Sequence, residues 1–158
     1  MTEAKNVVTG ERLAALGLEL PEVAVPVAAY VSAVRIGNLI FTSGQLPMVN
    51  GALSATGKLG AEISIEQGKE LAQICGLNAL AAIATLVDLD EVVQVVKVLA
   101  FVASAPGFTT QAQVANGVSE LFGTIFGDAG KHARSSVGVA ELPLGAPVEV
   151  EVIVAVRG

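Results

Sequence analysis

Ala133-Arg134-Ser135-Ser136-Val137-Gly138-Val139-Ala140-Glu141-Leu142-Pro143, running on to Val148-Glu149-Val150-Glu151-Val152, is the stretch whose reading decides the fold. It reads as two strands around a Pro/Gly turn from Leu142 to Pro147, with charge where strands usually carry Val or Ile. As a simple hairpin turning near Leu144, it would set Arg134 opposite Ala155 and Glu149 opposite Ala140. At about 3.3 Å per residue, Arg134 and Glu149 would then lie roughly 15–20 Å apart within one chain. They could share a small ligand only if a neighbouring subunit supplied one of them.

Upstream of this pair, Ser64 and Gln67 form a capping-box signature at the head of an Ala/Leu-rich helix expected to run to Val87. Val92 to Val102 is β-branched and nearly all apolar, as expected of a strand covered on both faces or lying at a subunit interface. Thr109 to Phe126 repeats apolar residues at helical spacing. Tyr30–Val34 and Leu39–Ser43 flank Arg35-Ile36-Gly37-Asn38 as a hairpin. Gly44 to Gly60, rich in glycine, reads as loop. Glu11 to Leu18 reads as a short amphipathic helix, and Pro21 and Pro26 mark an extended link after it. The expected order is ββαβαββ. That gives a single-domain α+β two-layer sandwich, a mixed sheet with two helices on one face. Residues 1–25 form an N-terminal extension and residues 26–158 the domain.

Composition narrows the function. The 158 residues are 53% hydrophobic and only 15% charged, against about 25% charged in an average soluble domain. A lone small globule of that kind would expose apolar patches, so a homo-oligomer is expected. A net charge of −6, nine scattered basic residues and 4% aromatics argue against nucleic acid as a partner. One cysteine, Cys75, and one histidine, His132, leave no disulfide within the chain and no metal-ligand set. No membrane span and no signal-peptide pattern at Met1–Lys5 are read, so a cytoplasmic location is expected.

Arg134 lies among Ala, Ser, Val and Gly, where small side chains leave room for a ligand and nothing nearby neutralises it. A guanidinium suits bidentate recognition of a carboxylate. Glu149 and Glu151 share one strand face, and burial would raise a carboxyl toward a range useful for proton transfer. Spacing alone does not choose between them. His132 reads as a turn histidine, with an acid/base role beside Arg134 as the alternative.

Together these motifs resemble the RidA family (YjgF/YER057c/UK114). The resemblance rests on Ala133-Arg134-Ser135, the Pro/Gly turn, and Val148-Glu149-Val150-Glu151. It extends to Tyr30-Val31, Gly37-Asn38-Leu39-Ile40-Phe41-Thr42-Ser43-Gly44-Gln45 and Asn116, and so runs from about Pro26 to Val156. It implies a chorismate-mutase-like homotrimer with clefts between subunits and cofactor-free hydrolysis of reactive enamines and imines, such as 2-aminoacrylate, to 2-keto acids and ammonia. By motif position, Arg134 would bind the substrate carboxylate and Glu149 would position or activate water. Tyr30, Ser43, Gly44, Asn116 and Ser136 would line the cleft. The chain departs from the pattern at His132, where many relatives carry Pro or another residue, and at Ser136, where some active members carry Cys. A further departure is an insertion around Met48 to Ala61. Two other readings stand beside this one: a non-catalytic trimer binding small carboxylates or proteins, and the endoribonuclease or translation inhibitor described for some relatives.

Overall fold

The computed structural model describes residues 7–23, 25, 26 and 28–158. The reading of Met1–Lys5 lies outside the described residues. The described residues form three α-helices, α1 (Val7–Ala15), α2 (Ile65–Ala84) and α3 (Gln111–Phe126), and seven strands. The strands are β1 (Ala33–Ile36), β2 (Leu39–Thr42), β3 (Met48–Val49), β4 (Ala52–Leu53), β5 (Val92–Ala103), β6 (Ala133–Val139) and β7 (Val148–Val156). The expected ββαβαββ core is present, with α1 and the small β3–β4 pair added to it.

Local chemistry explains the main elements. Ser64 Oγ accepts the Gln67 amide and Gln67 Oε1 accepts the Ser64 amide, so the capping box starts α2 as expected. The helix ends at Ala84, three residues short of the expected Val87. Strand β7 alternates strictly: Val148, Val150, Val152, Val154 and Val156 are buried, and the residues between them are half-buried. Its buried face joins Ile40, Val98, Ala100 and Val102 beneath α2 and α3, and this layer is the core.

The five-stranded sheet has the order β1-β2-β7-β5-β6. This corrects the hairpin expected for the last two strands. Strand β5 lies between them, antiparallel to β7 and parallel to β6. The short turn at Pro143–Gly145 does reverse the chain, but the long apolar β5 inserts and takes both sets of backbone hydrogen bonds. The described residues cover one face of β5. Leu99 and Phe101, on the other face, stay half-buried.

The Gly44–Gly60 region also differs from expectation. Asn50 (φ 50°) and Gly51 (φ 80°) form a type I′ turn that joins β3 to β4. Asn78 of α2 donates to the carbonyls of Leu46 and Met48 and holds this hairpin to the domain. Leu59, within the insertion, is fully buried. Helix α1 begins at Val7 rather than Glu11, and its Leu13 reaches the core. Among the described residues no helix is long and apolar enough to cross a membrane.

Candidate active site

Arg134 lies on edge strand β6, in register with Val98 of β5 and, through it, Val152 of β7. Paired residues share a sheet face, so Arg134 projects toward the helices. At this edge α3 meets it with one stripe of polar groups. Arg134 Nη1 donates to Asn116 Oδ1 at 2.9 Å and to Ser119 Oγ at 3.0 Å, and Nη2 donates to the Ala112 carbonyl at 3.2 Å. Positions 112, 116 and 119 are spaced four and three apart, which puts them on one helical face. All three acceptors are neutral. No carboxylate of the described residues pairs with the guanidinium.

Ser136 follows two residues later on the same face of β6. Its Oγ is buried and has no hydrogen-bond partner among the described residues. His132 precedes the strand. Its Nδ1 lies 2.6 Å from the Gly130 carbonyl and its Nε2 2.8 Å from Ser119 Oγ, with the ring packed edge-on against Phe122. A shallow hollow of about 380 Å³ opens beside Ser119, His132 and Arg134.

Glu149 stands in register with Phe101 and Val137, and so faces away from the helices. Gly44 packs directly on it: a Cβ at position 44 would lie 2.0 Å from Glu149 Oε1. The chain is pinned there because Gln45 and Val150 exchange backbone hydrogen bonds of 2.8 and 3.0 Å. The Ser43 hydroxyl donates to the Val31 carbonyl at 2.5 Å, which ties the segment carrying Tyr30 to the same end of the sheet. Tyr30 itself is half exposed. Burial, and after it the neighbouring charge of Glu151, push the Glu149 carboxyl above its ordinary value. Close packing by Gly44 and this shift distinguish Glu149 within the pair that sequence spacing left open.

The described chain therefore contains two half-sites. Arg134, Asn116 and Ser136 gather at the β6–α3 edge, whereas Glu149, Ser43 and Gly44 gather at the β2–β7 end. Arg134 and Glu149 are two strands and three residues apart, roughly 14 Å between Cα atoms. Their side chains point to opposite faces. The shorter spacing replaces the hairpin value, and the opposed faces keep the two groups from meeting within one chain. Ser119 was missed in the sequence. Its signal was a second polar residue one turn after Asn116 on an otherwise apolar helix face. A second hollow, about 410 Å³ between α2, the β3–β4 hairpin and the segment near Glu22, lies apart from both half-sites.

The family model described as Endoribonuclease L-PSP matches residues 21–156. Protein TCP17 of Trypanosoma cruzi is 45% identical over 155 residues, covering 94% of this chain and 97% of that protein. A crystal structure of a protein of unknown function from Agrobacterium tumefaciens superposes with a TM-score of 0.89 at 40% identity. It covers 96% of this chain and 95% of its own. A protein of Escherichia coli K12 named "Putative reactive intermediate deaminase TdcF" is 29% identical over 131 residues, 80% of this chain and 86% of its own length.

Proposed function

The chain belongs to the Endoribonuclease L-PSP family, the RidA/YjgF group, and from that premise we propose that it hydrolyses small carboxylate-bearing enamines and imines to 2-keto acids and ammonia. One observation carries the proposal: Arg134 is fixed by neutral acceptors alone, so its positive charge stays available to an anionic ligand. The name of the TdcF relative supports the same substrate class.

Among the described residues no layer covers the sheet face that bears Glu149. That face carries the half-buried Leu99, Phe101 and Ile153, and Val137 is 42% exposed. A second copy of this chain, in the trimer that the family resemblance implies, would cover it. That arrangement would bring Glu149 of one protomer to Arg134 of the next. Tyr30, Ser43, Gly44, Asn116 and Ser136 would line the cleft so formed.

In this cleft Arg134 grips the substrate carboxylate. The enamine tautomerises to an imine, whose carbon is already electrophilic. Glu149, its carboxyl raised above the ordinary value by burial, takes a proton from water as the water oxygen adds to that carbon, and passes it to the imine nitrogen to give the neutral carbinolamine. The tetrahedral carbinolamine then collapses: Glu149 carries the hydroxyl proton to nitrogen, the C–N bond breaks, ammonia leaves, and the C=O bond of the keto acid forms. Orientation, a charge clamp and a proton relay supply the catalysis.

A coupled assay tests this reading. An amino acid oxidase generates imines in situ, and keto-acid release is followed with and without the protein. Release should accelerate with the protein present. Arg134→Ala should lose about 1.5–3 kcal/mol of substrate interaction, about tenfold to 150-fold in binding, with its Tm retained. Wild-type rates from that variant would overturn the reading. The net charge of −6 disfavours RNA as the substrate.

A further inference from the structure

Ser119 stands between the proposed clamp and the single histidine of the chain, and the direction of its hydrogen bonds is fixed by chemistry at both ends. An arginine nitrogen can only donate, so Ser119 Oγ accepts from Arg134 Nη1 at 3.0 Å. A carbonyl can only accept, so His132 Nδ1, 2.6 Å from the Gly130 carbonyl, carries the proton. In the neutral imidazole Nε2 is then a bare acceptor, and the Ser119 hydroxyl donates to it at 2.8 Å. The chain runs one way: Arg134 to Ser119 to His132 to Gly130. Each bond polarises the next. Edge-on packing against Phe122 keeps the imidazole in place.

The consequence falls on Arg134. Nη1 gives one hydrogen to Asn116 and one to Ser119, and Nη2 gives one to Ala112. The two N–H groups left over belong to Nε and Nη2, the nitrogens of one edge of the guanidinium. That edge matches the spacing of two carboxylate oxygens. We propose that Ser119, its hydroxyl locked by His132, is a positioning residue that holds Arg134 with its Nε–Nη2 edge free for a substrate carboxylate. The proposal rests on the reading of Arg134 as the carboxylate clamp. It also gives a role to the two residues that the clamp itself did not account for. Without Ser119 the guanidinium keeps Asn116 and Ala112 but can rotate about its long side chain, and the free edge loses its fixed direction.

The test measures binding and turnover in the intact oligomer. Pyruvate serves as the anionic probe and methyl pyruvate as its uncharged counterpart. Ser119→Ala should weaken pyruvate binding about tenfold and raise KM for anionic imines to a similar extent. Binding of methyl pyruvate and kcat should change less than about twofold. Ser119→Thr, which keeps the hydroxyl, should restore wild-type pyruvate binding. His132→Ala should give an intermediate loss confined to the anion. Equal losses for pyruvate and its ester, or no rescue by threonine, would overturn the proposal in favour of a merely structural serine. Unchanged pyruvate binding in Ser119→Ala, with binding lost in Arg134→Ala, would overturn it while leaving the clamp intact. Unchanged binding in both variants would bring down the clamp reading as well.

Discussion

Arg134 and Glu149 are both charged residues on strands of one sheet, yet their surroundings differ in kind. The guanidinium is held through Nη1 and Nη2 by three neutral oxygens of α3, on the covered face. The carboxylate is half-buried on the uncovered face, where Gly44 presses on it and no donor among the described residues reaches it. Under the proposed function, the oriented cation with no counter-charge would serve as the binding device. The carboxyl, whose charge is disfavoured by its surroundings, would serve as the proton-handling device and would meet the substrate at a neighbouring protomer. Binding and chemistry would thus be divided between two ends of the sheet and joined only by assembly. Substitutions should separate them.

The strongest test of that division is Glu149→Gln. Turnover should fall by about 10²–10⁴-fold, the range for a lost general base, while keto-acid binding stays within about twofold. Retained turnover would favour a carboxylate-binding protein over an enzyme. Mixing offers a sharper version. Subunits carrying Arg134→Ala and subunits carrying Glu149→Gln, each nearly inactive, should regain about a quarter of wild-type activity after joint refolding. By random assortment, about that share of clefts pairs an intact arginine with an intact glutamate. No recovery would mean that both residues act within one chain, against the geometry of opposed faces.

The pH response has a defined sign. A carboxyl raised in the folded state favours folding below its unfolded value near ~4.3, and that contribution is lost as pH rises through the raised folded value. Glu149→Gln removes the loss. The variant should therefore melt higher than wild type at neutral pH and lose that advantage in acid. Activity should run the other way, because a base must be ionised. The acid limb of the wild-type rate profile should lie above the ordinary carboxylate range.

Gly44→Ala perturbs the same half-site more gently. The added methyl would sit 2.0 Å from Glu149 Oε1, the movable end of a side chain, so the carboxyl shifts and the backbone does not. Turnover should fall about tenfold through mispositioning of the base. Keto-acid binding should hold, as measured by titration calorimetry. A binding loss equal to the rate loss would erase the distinction between the two ends of the sheet.

How far this was legible in the sequence depended on whether the signal was local. The capping box at Ser64, the apolar run of β5 and the alternation of β7 are set by neighbouring residues, and they were read correctly. The placement of β5 between β6 and β7 is a long-range outcome. Two strands on either side of Leu144 read as a hairpin until the partner is known, and the parallel pairing of β5 with β6 follows from the α3 crossover. The Asn50-Gly51 turn was a legible local signal hidden within a glycine-rich stretch. At the site, the residue types at 134 and 149 marked them as unusual, but sequence could not assign them to faces. Ser119 acquires meaning only when α3 is laid beside β6.

The smallest expected effect comes from a place remote from both half-sites. The Asp90 carboxylate accepts from the amides of Val8 and Thr9 at 2.9 Å and from the Thr9 hydroxyl at 2.8 Å, and so caps α1 from across the chain. Burial raises this carboxyl, but the bonds from Thr9, Val8 and Val7 outweigh it and the net shift is downward. Its stabilising contribution is therefore present above the unfolded value near ~3.9 and is lost as pH falls through the lowered folded value. Asp90→Ala should cost about 1 kcal/mol, the typical worth of a lost helix cap, and should expose the N-terminal segment to protease at neutral pH. Arg12 of α1 donates to the Ile125 carbonyl in the last turn of α3, while Arg134 is held by the first half of that helix. Rate and keto-acid affinity should therefore stay at wild-type values in Asp90→Ala. A change in affinity without a change in rate would mean that α3 transmits strain from its far end to the clamp, and would tie the N-terminal helix to the binding half of the site alone.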